Sequence, residues 1–225
     1  MGVETLTMIS ATPSPFARMN RIALHEKGIP FELQNEVPWD STTATRNYNP
    51  LEKLPILLFP DSENQEPVYD SAHIQNFIVT KYADKSPKLV TGDINLDLKA
   101  RQLLTLSEGV LDAFVLIFWE SKRPENKQSA EWLARQQRKI DGGLAAFESL
   151  CQSRQPKSSE YIINDTYTIA DIAIACATAQ IDFGSMRPGW REKYPELAKW
   201  YTKMEERDTF KKTYPVMFEV KDSVV

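Results

Sequence analysis

Ser14 lies at the junction between a predicted strand and a predicted helix, where a hydroxyl group can meet an anion. Residues 5–10 alternate weakly and indicate a short strand, and a helical pattern runs from Pro15 toward Gly28. Serine is a favoured N-cap residue, and proline suits the first helical position because its missing N–H would be unpaired there. The hydroxyl would therefore face the positive end of a helix dipole, which attracts anions, although capping alone is the commonest use of such a serine.

Two later segments also carry residues that suit a polar ligand. Pro55 directly precedes the apolar run 56–59, which indicates a buried strand. Because proline cannot donate to the sheet ladder, it must take the first position of that strand or lie on an edge. Asp70 and Ser71 begin a further helical pattern, where an acid and a hydroxyl can cap the helix or hold a charged group.

Serine hydrolase chemistry and metal chemistry are both disfavoured. No G-x-S-x-G elbow surrounds Ser14, and His25 lies further along the same helix, about 16 Å away at 1.5 Å per residue. Cys151 and Cys176 form no C-x-x-C pair, and only 2 histidines, His25 and His73, accompany them in the chain. We therefore predict no metal and no dithiol redox centre.

The composition is that of an ordinary globular protein of 225 residues, with 42% hydrophobic and 26% charged residues. A net charge of −4 disfavours a nucleic-acid partner. No uninterrupted apolar run approaches membrane-spanning length, and no basic segment followed by an apolar one opens the chain. We expect a cytoplasmic protein without a membrane partner.

The order of the patterns predicts two domains. A strand-helix-strand unit, two more strands and the helix after Asp70 give an α/β domain over residues 1–83. Residues 84–95 are polar, contain Pro87 and Gly92, and indicate a linker. From residue 96 to residue 225, apolar stripes at helical spacing predict an all-helical domain.

The predicted helical domain has three notable features. The stretch 103–119 carries two neighbouring apolar stripes, so it should pack against more than one partner. Gly142 and Gly143 interrupt the next stripe and would allow another backbone to approach closely. Thr168 and Asp171 form a capping box before the most apolar helix, in which Cys176 is expected to be an inert core residue.

Three signatures, in this order, resemble those of the cytosolic glutathione transferases. They are Ser14-Pro-Phe with Arg21-Ile-Ala-Leu24, Asn49-Pro with Lys53-Leu-Pro55, and Asp70-Ser71 before an apolar helix. The capping box at Thr168 extends the resemblance into the second domain. The chain looks most like serine-type bacterial and fungal members, and this implies an α/β N-terminal thioredoxin-like domain followed by an all-α C-terminal domain.

The resemblance implies that glutathione is bound by Lys53, Leu54, Pro55, Asp70 and Ser71. In such folds the proline is cis and leaves the backbone of the preceding residue, here Leu54, free to pair with a peptide ligand. The Ser71 hydroxyl and N–H would hold the γ-glutamyl carboxylate, and Asp70 would face its ammonium group.

The resemblance also gives Ser14 the role of meeting the glutathione sulfur. A hydroxyl donor and the helix N-terminus would stabilise the thiolate, and Thr12 is the first alternative donor. The electrophile would pack on an apolar wall, for which Thr12, Phe16, Phe114 and Trp119 are the candidate residues.

Serine at position 14 favours conjugation, glutathione-dependent isomerisation or ether cleavage, because serine cannot form a mixed disulfide. The isomerases of the zeta class carry Ser-Ser-Cys where this chain has Ser14-Pro-Phe, which disfavours isomerisation. A non-catalytic ligand-binding or regulatory role is the alternative of a different class. The expected partners are glutathione, a small hydrophobic electrophile and a second copy of the chain.

Overall fold

A computed structural model describes residues 5–220 of the chain. Residues 1–4 and 221–225, at the outer ends of the two predicted domains, lie outside the described residues. The chain divides into two compact units. The first contains the described residues up to Leu89 and those from Thr209 onward, and the second runs from Val90 to Asp208.

The first unit is built on a small mixed sheet with helices between its strands. Its elements are β1 Thr7–Ser10, α1 Pro15–Glu26, β2 Glu32–Asn35, α2 Thr45–Tyr48, β3 Ile56–Leu58, β4 Val68–Tyr69 and α3 Ser71–Lys81. The strand order is β2-β1-β3-β4, with β1 parallel to β2 and antiparallel to β3, and β3 antiparallel to β4. This arrangement confirms the predicted α/β first domain.

The central strands of the sheet are its buried strands. Every residue of β1 and β3 is buried, whereas every residue of β2 is exposed at the sheet edge. Ile9, Ile56 and Leu58 form an apolar cluster against which Leu54 and Tyr69 pack. The helices α1 and α3 pack against each other, which fixes the start of each helix relative to the other.

Lys27 anchors the chain that leaves α3. Its side chain is buried, and its Nζ donates to the carbonyl oxygens of Tyr82, Lys85 and Pro87 at 2.9, 3.1 and 3.1 Å. Burial lowers the pKa of Lys27, and the nearby Asp84 opposes that shift. One ammonium group thus supplies hydrogen bonds to three backbone acceptors, which span the predicted end of the first domain and the start of the predicted linker.

The second unit is helical throughout its regular structure. Its helices are α4 Ile94–Lys122, α5 Ala130–Ser153, α6 Ile169–Phe183, α7 Trp190–Lys193 and α8 Pro195–Glu205, and the short α9 Asp208–Lys212 follows at its boundary. The central helix α4 packs against both α5 and α6, as its two apolar stripes predict. By length and composition alone α4 could cross a membrane, but a core helix of a soluble protein passes the same test.

One of the two adjacent glycines in α5 makes the close approach that the sequence predicts. A Cβ atom on Gly143 would collide with the Val110 side chain of α4, whereas one on Gly142 would meet nothing within 4 Å. Gly184, after α6, leaves similar room for the ring of Phe114. Because glycine has no side chain, Gly143 and Gly184 allow α4 to lie close to α5 and to the end of α6.

The capping box at the start of α6 is confirmed. Thr168 is the N-cap, its side chain accepts from the Ala170 N–H at 3.3 Å, and Asp171 accepts from the Thr168 N–H at 2.9 Å. Asp171 also accepts from the Ile162 N–H at 2.8 Å, so it ties the preceding loop to the helix. The helix behind this cap is buried from Ile169 to Ile181.

Residues from Thr209 onward group with the first unit, although the predicted helical domain runs to residue 225. The reason is Arg18, a buried residue of α1 whose guanidinium donates to the Phe210 carbonyl at 3.0 Å and to Thr213 Oγ1 at 3.4 Å. Its charged plane also lies over the ring of Phe210. A buried guanidinium needs such partners, and the C-terminal segment provides them.

Candidate functional site

Ser14 caps α1 and keeps its hydroxyl proton for another partner. Its backbone N–H donates to the Ala11 carbonyl at 3.0 Å, and its Oγ accepts from the Ala17 N–H at 3.2 Å. A hydroxyl offers one donor and two acceptor lone pairs, and the cap uses one lone pair. Within residues 5–220 the Ser14 O–H donates to no acceptor, so capping and donation to an anion are compatible.

The electrostatic setting of Ser14 favours an anion. The first turn of α1 contains no acidic side chain to neutralise the positive end of its dipole. Ser14 is half-buried, so a bound anion would be partly shielded from water and would interact more strongly with this end of the helix.

Asp70 caps α3 in an unusual backbone conformation. Its φ is 76°, a value that non-glycine residues rarely adopt and that costs about 1–3 kcal/mol. The conformation lets Oδ1 accept from the Ala72 and His73 N–H groups at 3.1 and 3.3 Å. Oδ2 makes no hydrogen bond within the described residues, and the side chain is exposed, so the carboxylate can still face a cation.

Ser71 brings the beginnings of α1 and α3 together. Its hydroxyl donates to the Phe16 carbonyl at 3.1 Å and accepts from Asn20 Nδ2 at 3.1 Å. The Ser71 side chain is buried, and its predicted role in binding a carboxylate stays a prediction. In this structure the hydroxyl is turned toward α1.

The segment before β3 is shaped by Asn49. Its Nδ2 donates to the Lys53 carbonyl at 2.8 Å, and its Oδ1 accepts from the Leu51 N–H at 3.0 Å. The Leu54–Pro55 peptide bond is cis, as the resemblance implies. The Lys53 side chain is exposed, whereas Leu54 is half-buried against the sheet.

The sheet register places these segments side by side. Ile56 pairs with Ile9 of β1 and with Tyr69 of β4. Continuing each ladder by one residue sets Pro55 level with Ser10 on one side and with Asp70 on the other. The loop that carries Ser14, the Leu54–Pro55 segment and the start of α3 therefore meet where β1 and β4 end and β3 begins.

The loop after β2 is organised around Glu36. Burial alone would raise the pKa of this carboxyl, but hydrogen bonds from Thr43, Thr45 and Gln34 lower it below the ordinary value. The Thr45 hydroxyl and N–H donate to Oε2 at 2.6 and 3.0 Å, and the Thr43 hydroxyl donates to the same oxygen. An ionised glutamate thus fixes the loop that leads to Asn49.

The four residues predicted to line an electrophile pocket lie in different settings. Thr12 and Phe16 flank Ser14 in sequence and are half-buried. Phe114 is buried in the helical unit beside Gly184, and Trp119 is half-buried with its ring edge-on to Phe118. The pocket stays a prediction for all four.

Two buried asparagines, Asn20 and Asn49, shape the candidate site without a role predicted from the sequence. Asn20 lies between Met19 and Arg21 in a helix whose prediction rests on its apolar face. The sequence pattern does not indicate that this polar side chain is buried with that face. Asn49 stood in a recognised signature, but a side chain that bonds its own loop can be identified only from the loop conformation.

The remaining reactive residues do not converge. Within residues 5–220 no group of three histidine, cysteine, aspartate or glutamate side chains could hold a metal ion. Burial raises the pKa of the Cys151 thiol to about 12, so this cysteine is not a reactive thiolate.

Comparison with known proteins gives consistent matches over both units. Family models described as "Glutathione S-transferase, N-terminal domain" and "Glutathione S-transferase, C-terminal domain" match residues 13–81 and 130–203. The uncharacterized GST-like protein YibF of Escherichia coli K12 is 32% identical over 210 residues, covering 93% of this chain and 98% of YibF.

Solved structures show the same likeness. A glutathione S-transferase of Methylobacterium radiotolerans, crystallised with glutathione sulfonate, is 42% identical with a TM-score of 0.89, covering 98% of this chain and 100% of that one. Ure2p in complex with glutathione is 18% identical with a TM-score of 0.81, covering 95% and 99%. At that identity the second likeness concerns the fold alone.

Proposed function

The chain belongs to the glutathione transferase family, and we propose that it binds glutathione and activates its thiol through Ser14 for attack on a small hydrophobic electrophile. One observation carries this proposal. The hydrogen bond between Ser71 and the Phe16 carbonyl sets the N-terminus of α3 beside the first turn of α1, where the Ser14 proton is unused. Two positive helix ends and a hydroxyl donor suit a ligand with a carboxylate and a thiolate.

The thiol is the group that needs activation. A free thiol of this kind has a pKa of about 8.5, so little of it is ionised at neutral pH. A hydrogen bond to the thiolate would contribute ~1.5–3 kcal/mol and the helix N-terminus ~0.3–1 kcal/mol. Together they would lower the thiol pKa by on the order of one to three units, which generates the nucleophile at neutral pH.

The tripeptide would be held by the segment before β3 and by the start of α3. The backbone of Leu54, beside the cis proline, would pair with the peptide, and the exposed Lys53 lies next to it. Asp70 Oδ2 would face the γ-glutamyl ammonium, and the Ser71 N–H and hydroxyl would take its carboxylate. The structure of the Methylobacterium relative with glutathione sulfonate supports this choice of ligand.

The alternative functions would use the same glutathione site. In all three reactions the glutathione thiolate attacks the substrate. Conjugation leaves the sulfur bonded to the product, ether cleavage also expels an alcohol or phenol, and isomerisation releases the thiol again. A non-catalytic role is supported by the fold likeness to Ure2p, of which one structure is described as the nitrogen regulation fragment of a yeast prion protein. Retention on glutathione resin followed by a conjugation assay over aryl halides, epoxides, maleyl-type isomers and aryl ethers separates these cases. Retention without turnover of any class would favour the regulatory role.

We expect Ser71→Ala to weaken glutathione binding by roughly 1.5–3 kcal/mol, because a hydrogen bond to a charged carboxylate is lost. Calorimetric titration measures the change. Thr80→Ala, at the exposed far end of α3, is the matched control and should bind as the wild type does. An unchanged affinity in a folded Ser71→Ala protein would place the carboxylate elsewhere.

We also propose that the protein is a homodimer. Ile94 and Leu98 lie one turn apart on α4 with 82% and 66% of their surface exposed, and Leu51 of the first unit is 66% exposed. Apolar side chains so exposed in a single chain are suited to an isologous contact with a second copy.

Light scattering at micromolar concentration should therefore give about twice the 25.7 kDa mass of the chain. Replacing Ile94 and Leu98 together by glutamate should shift the protein toward the monomer, because it would bury charge in the contact. Lys99→Glu, an exposed neighbour on α4, should leave the dimer intact. A wild-type mass of one chain would contradict the proposal.

A further inference from the structure

Asn20 connects α1 to Ser71 through a buried cluster of Phe16, Asn20 and Ser71. The Asn20 side chain has no exposed surface, and its Nδ2 donates to Ser71 Oγ and to the Phe16 carbonyl, each at 3.1 Å. The orientation of the amide is fixed, because a carbonyl can only accept and Nδ2 is the donor that faces it. Ser71 lies 51 residues away in sequence from Asn20.

The Phe16 carbonyl oxygen faces more hydrogen-bond donors than it has lone pairs. It receives the Asn20 amide and the Ser71 hydroxyl. Phe16 and Asn20 are also four residues apart within α1, so the helical ladder directs the Asn20 backbone N–H to the same oxygen. A carbonyl has two lone pairs, so one of these three donors can leave without exposing an unpaired acceptor.

The hydroxyl of Ser71 is the donor that can leave. If it turns toward a carboxylate at the start of α3, the Phe16 carbonyl keeps the Asn20 amide, and Ser71 Oγ still accepts from Nδ2. An accepted hydrogen bond also polarises the hydroxyl and makes it a stronger donor. Asn20 would thus hold the oxygen of Ser71 in place while leaving its proton available.

One polar atom of Asn20 is unsatisfied. Its Oδ1 is buried without a hydrogen-bond partner among the described residues. An aliphatic side chain would fill the same space without an unpaired acceptor, and buried unpaired polar atoms in natural proteins often mark a functional constraint.

We infer that Asn20 is a positioning residue for glutathione binding, which acts by presenting the Ser71 hydroxyl to the γ-glutamyl carboxylate. This inference rests on the proposed function. Asn20 would not itself touch glutathione, so its contribution must depend entirely on the hydroxyl of Ser71 and on the carboxylate that the hydroxyl binds.

The test compares Asn20→Leu with the wild type by calorimetry, using glutathione and an analogue in which γ-aminobutyrate replaces the γ-glutamyl residue. The analogue lacks only the carboxylate that Ser71 would bind. We expect Asn20→Leu to raise the Kd for glutathione by about fivefold or more and to leave the Kd for the analogue unchanged. The melting temperature should stay the same or rise, because the unpaired Oδ1 is gone.

Two further comparisons make the result decisive. In a Ser71→Ala background Asn20→Leu should have no additional effect on the Kd for glutathione. Gln75→Leu is the control, since Gln75 is one turn beyond Ser71 in α3, has no exposed surface and leaves both amide atoms unpaired among the described residues. Its glutathione affinity should equal that of the wild type. Asn20→Ala carries the same comparison if the leucine variant does not fold.

Equal weakening of both ligands, an unchanged Kd for glutathione, or an undiminished effect in the Ser71→Ala background would each overturn the role of Asn20. These outcomes leave the proposed function standing, because the wild type binds glutathione in all of them. A wild-type protein that binds no glutathione would overturn the proposed function first and this inference with it.

Discussion

Asp171→Ala should lower the free energy of unfolding by about 3–5 kcal/mol, because it leaves three buried donors without an acceptor. These donors are the Ile162 N–H at 2.8 Å and the N–H and hydroxyl of Thr168 at 2.9 and 3.0 Å. Asp171 has no exposed surface, so water cannot replace its oxygens. Chemical denaturation of the wild type and the variant measures the loss.

The loss should also depend on pH. Burial raises the pKa of Asp171 to about 6, although hydrogen bonds from Ile162 and Thr168 oppose the shift. A carboxyl whose pKa is higher in the folded state contributes stability that is fully present below its unfolded pKa and is lost as pH rises through about 6. The difference between wild type and Asp171→Ala should therefore be larger at pH ~4.5 than at pH ~7.5, by roughly 2 kcal/mol.

Asp165→Asn is the control for this prediction. Asp165 is exposed in the loop before the cap and has a φ of 54°, which asparagine tolerates. Its substitution should change the free energy of unfolding by less than about 0.5 kcal/mol at either pH. If Asp171→Ala cost the same at both pH values, the carboxylate would be ionised throughout and its hydrogen bonds would outweigh its burial.

The sequence was most informative where the partners are close along the chain. Thr168 and Asp171 are three residues apart, and both halves of their capping box formed as predicted. The bond between Ser71 and Asn20 could not be predicted, because it needs the packing of α3 on α1 across 51 residues. The same holds for Arg18, whose partner Phe210 is 192 residues away.

The apolar pattern of the sequence does not predict where a helix or strand begins and ends. The apolar stripes of the central helix begin at Leu103, but α4 begins at Ile94. Ile94 and Leu98 are exposed and do not belong to the buried stripes. The second strand of the predicted strand-helix-strand unit is β2, which is limited to Glu32–Asn35 because an exposed edge strand pairs on one side only. Burial decides these limits, and burial depends on the whole fold.

Ser14→Ala should raise the pKa of the bound glutathione thiol by on the order of one to two units and slow conjugation at neutral pH about tenfold or more. The affinity for glutathione should change little, because the tripeptide is held by Leu54, Asp70 and Ser71 in the proposed site. Raising the pH should recover much of the rate, since the thiol then ionises without help. Thiolate absorbance and the pH dependence of kcat measure the two effects.

Loss of the cap must be separated from loss of the donor. Ser129 caps α5 with the same geometry, accepting from the Trp132 N–H at 3.2 Å, and has no part in the proposed site. Ser129→Ala and Ser14→Ala should therefore lose similar stability, about 1 kcal/mol each, whereas only Ser14→Ala should shift the thiol pKa. Matching melting temperatures with different pH profiles would assign the shift to the hydroxyl proton.

Ser14→Cys extends the same argument. A cysteine at a helix N-terminus has a lowered pKa and is itself reactive, so this variant should lose conjugation. Its thiolate should instead attack oxidised glutathione, releasing one reduced glutathione and leaving a mixed disulfide that mass spectrometry detects. If Ser14→Ala instead kept the wild-type pH profile and lost only stability, Ser14 would be a cap alone. Thr12, half-buried two residues earlier, would then be the donor to replace next, and Thr12→Val should produce the shift that Ser14→Ala did not.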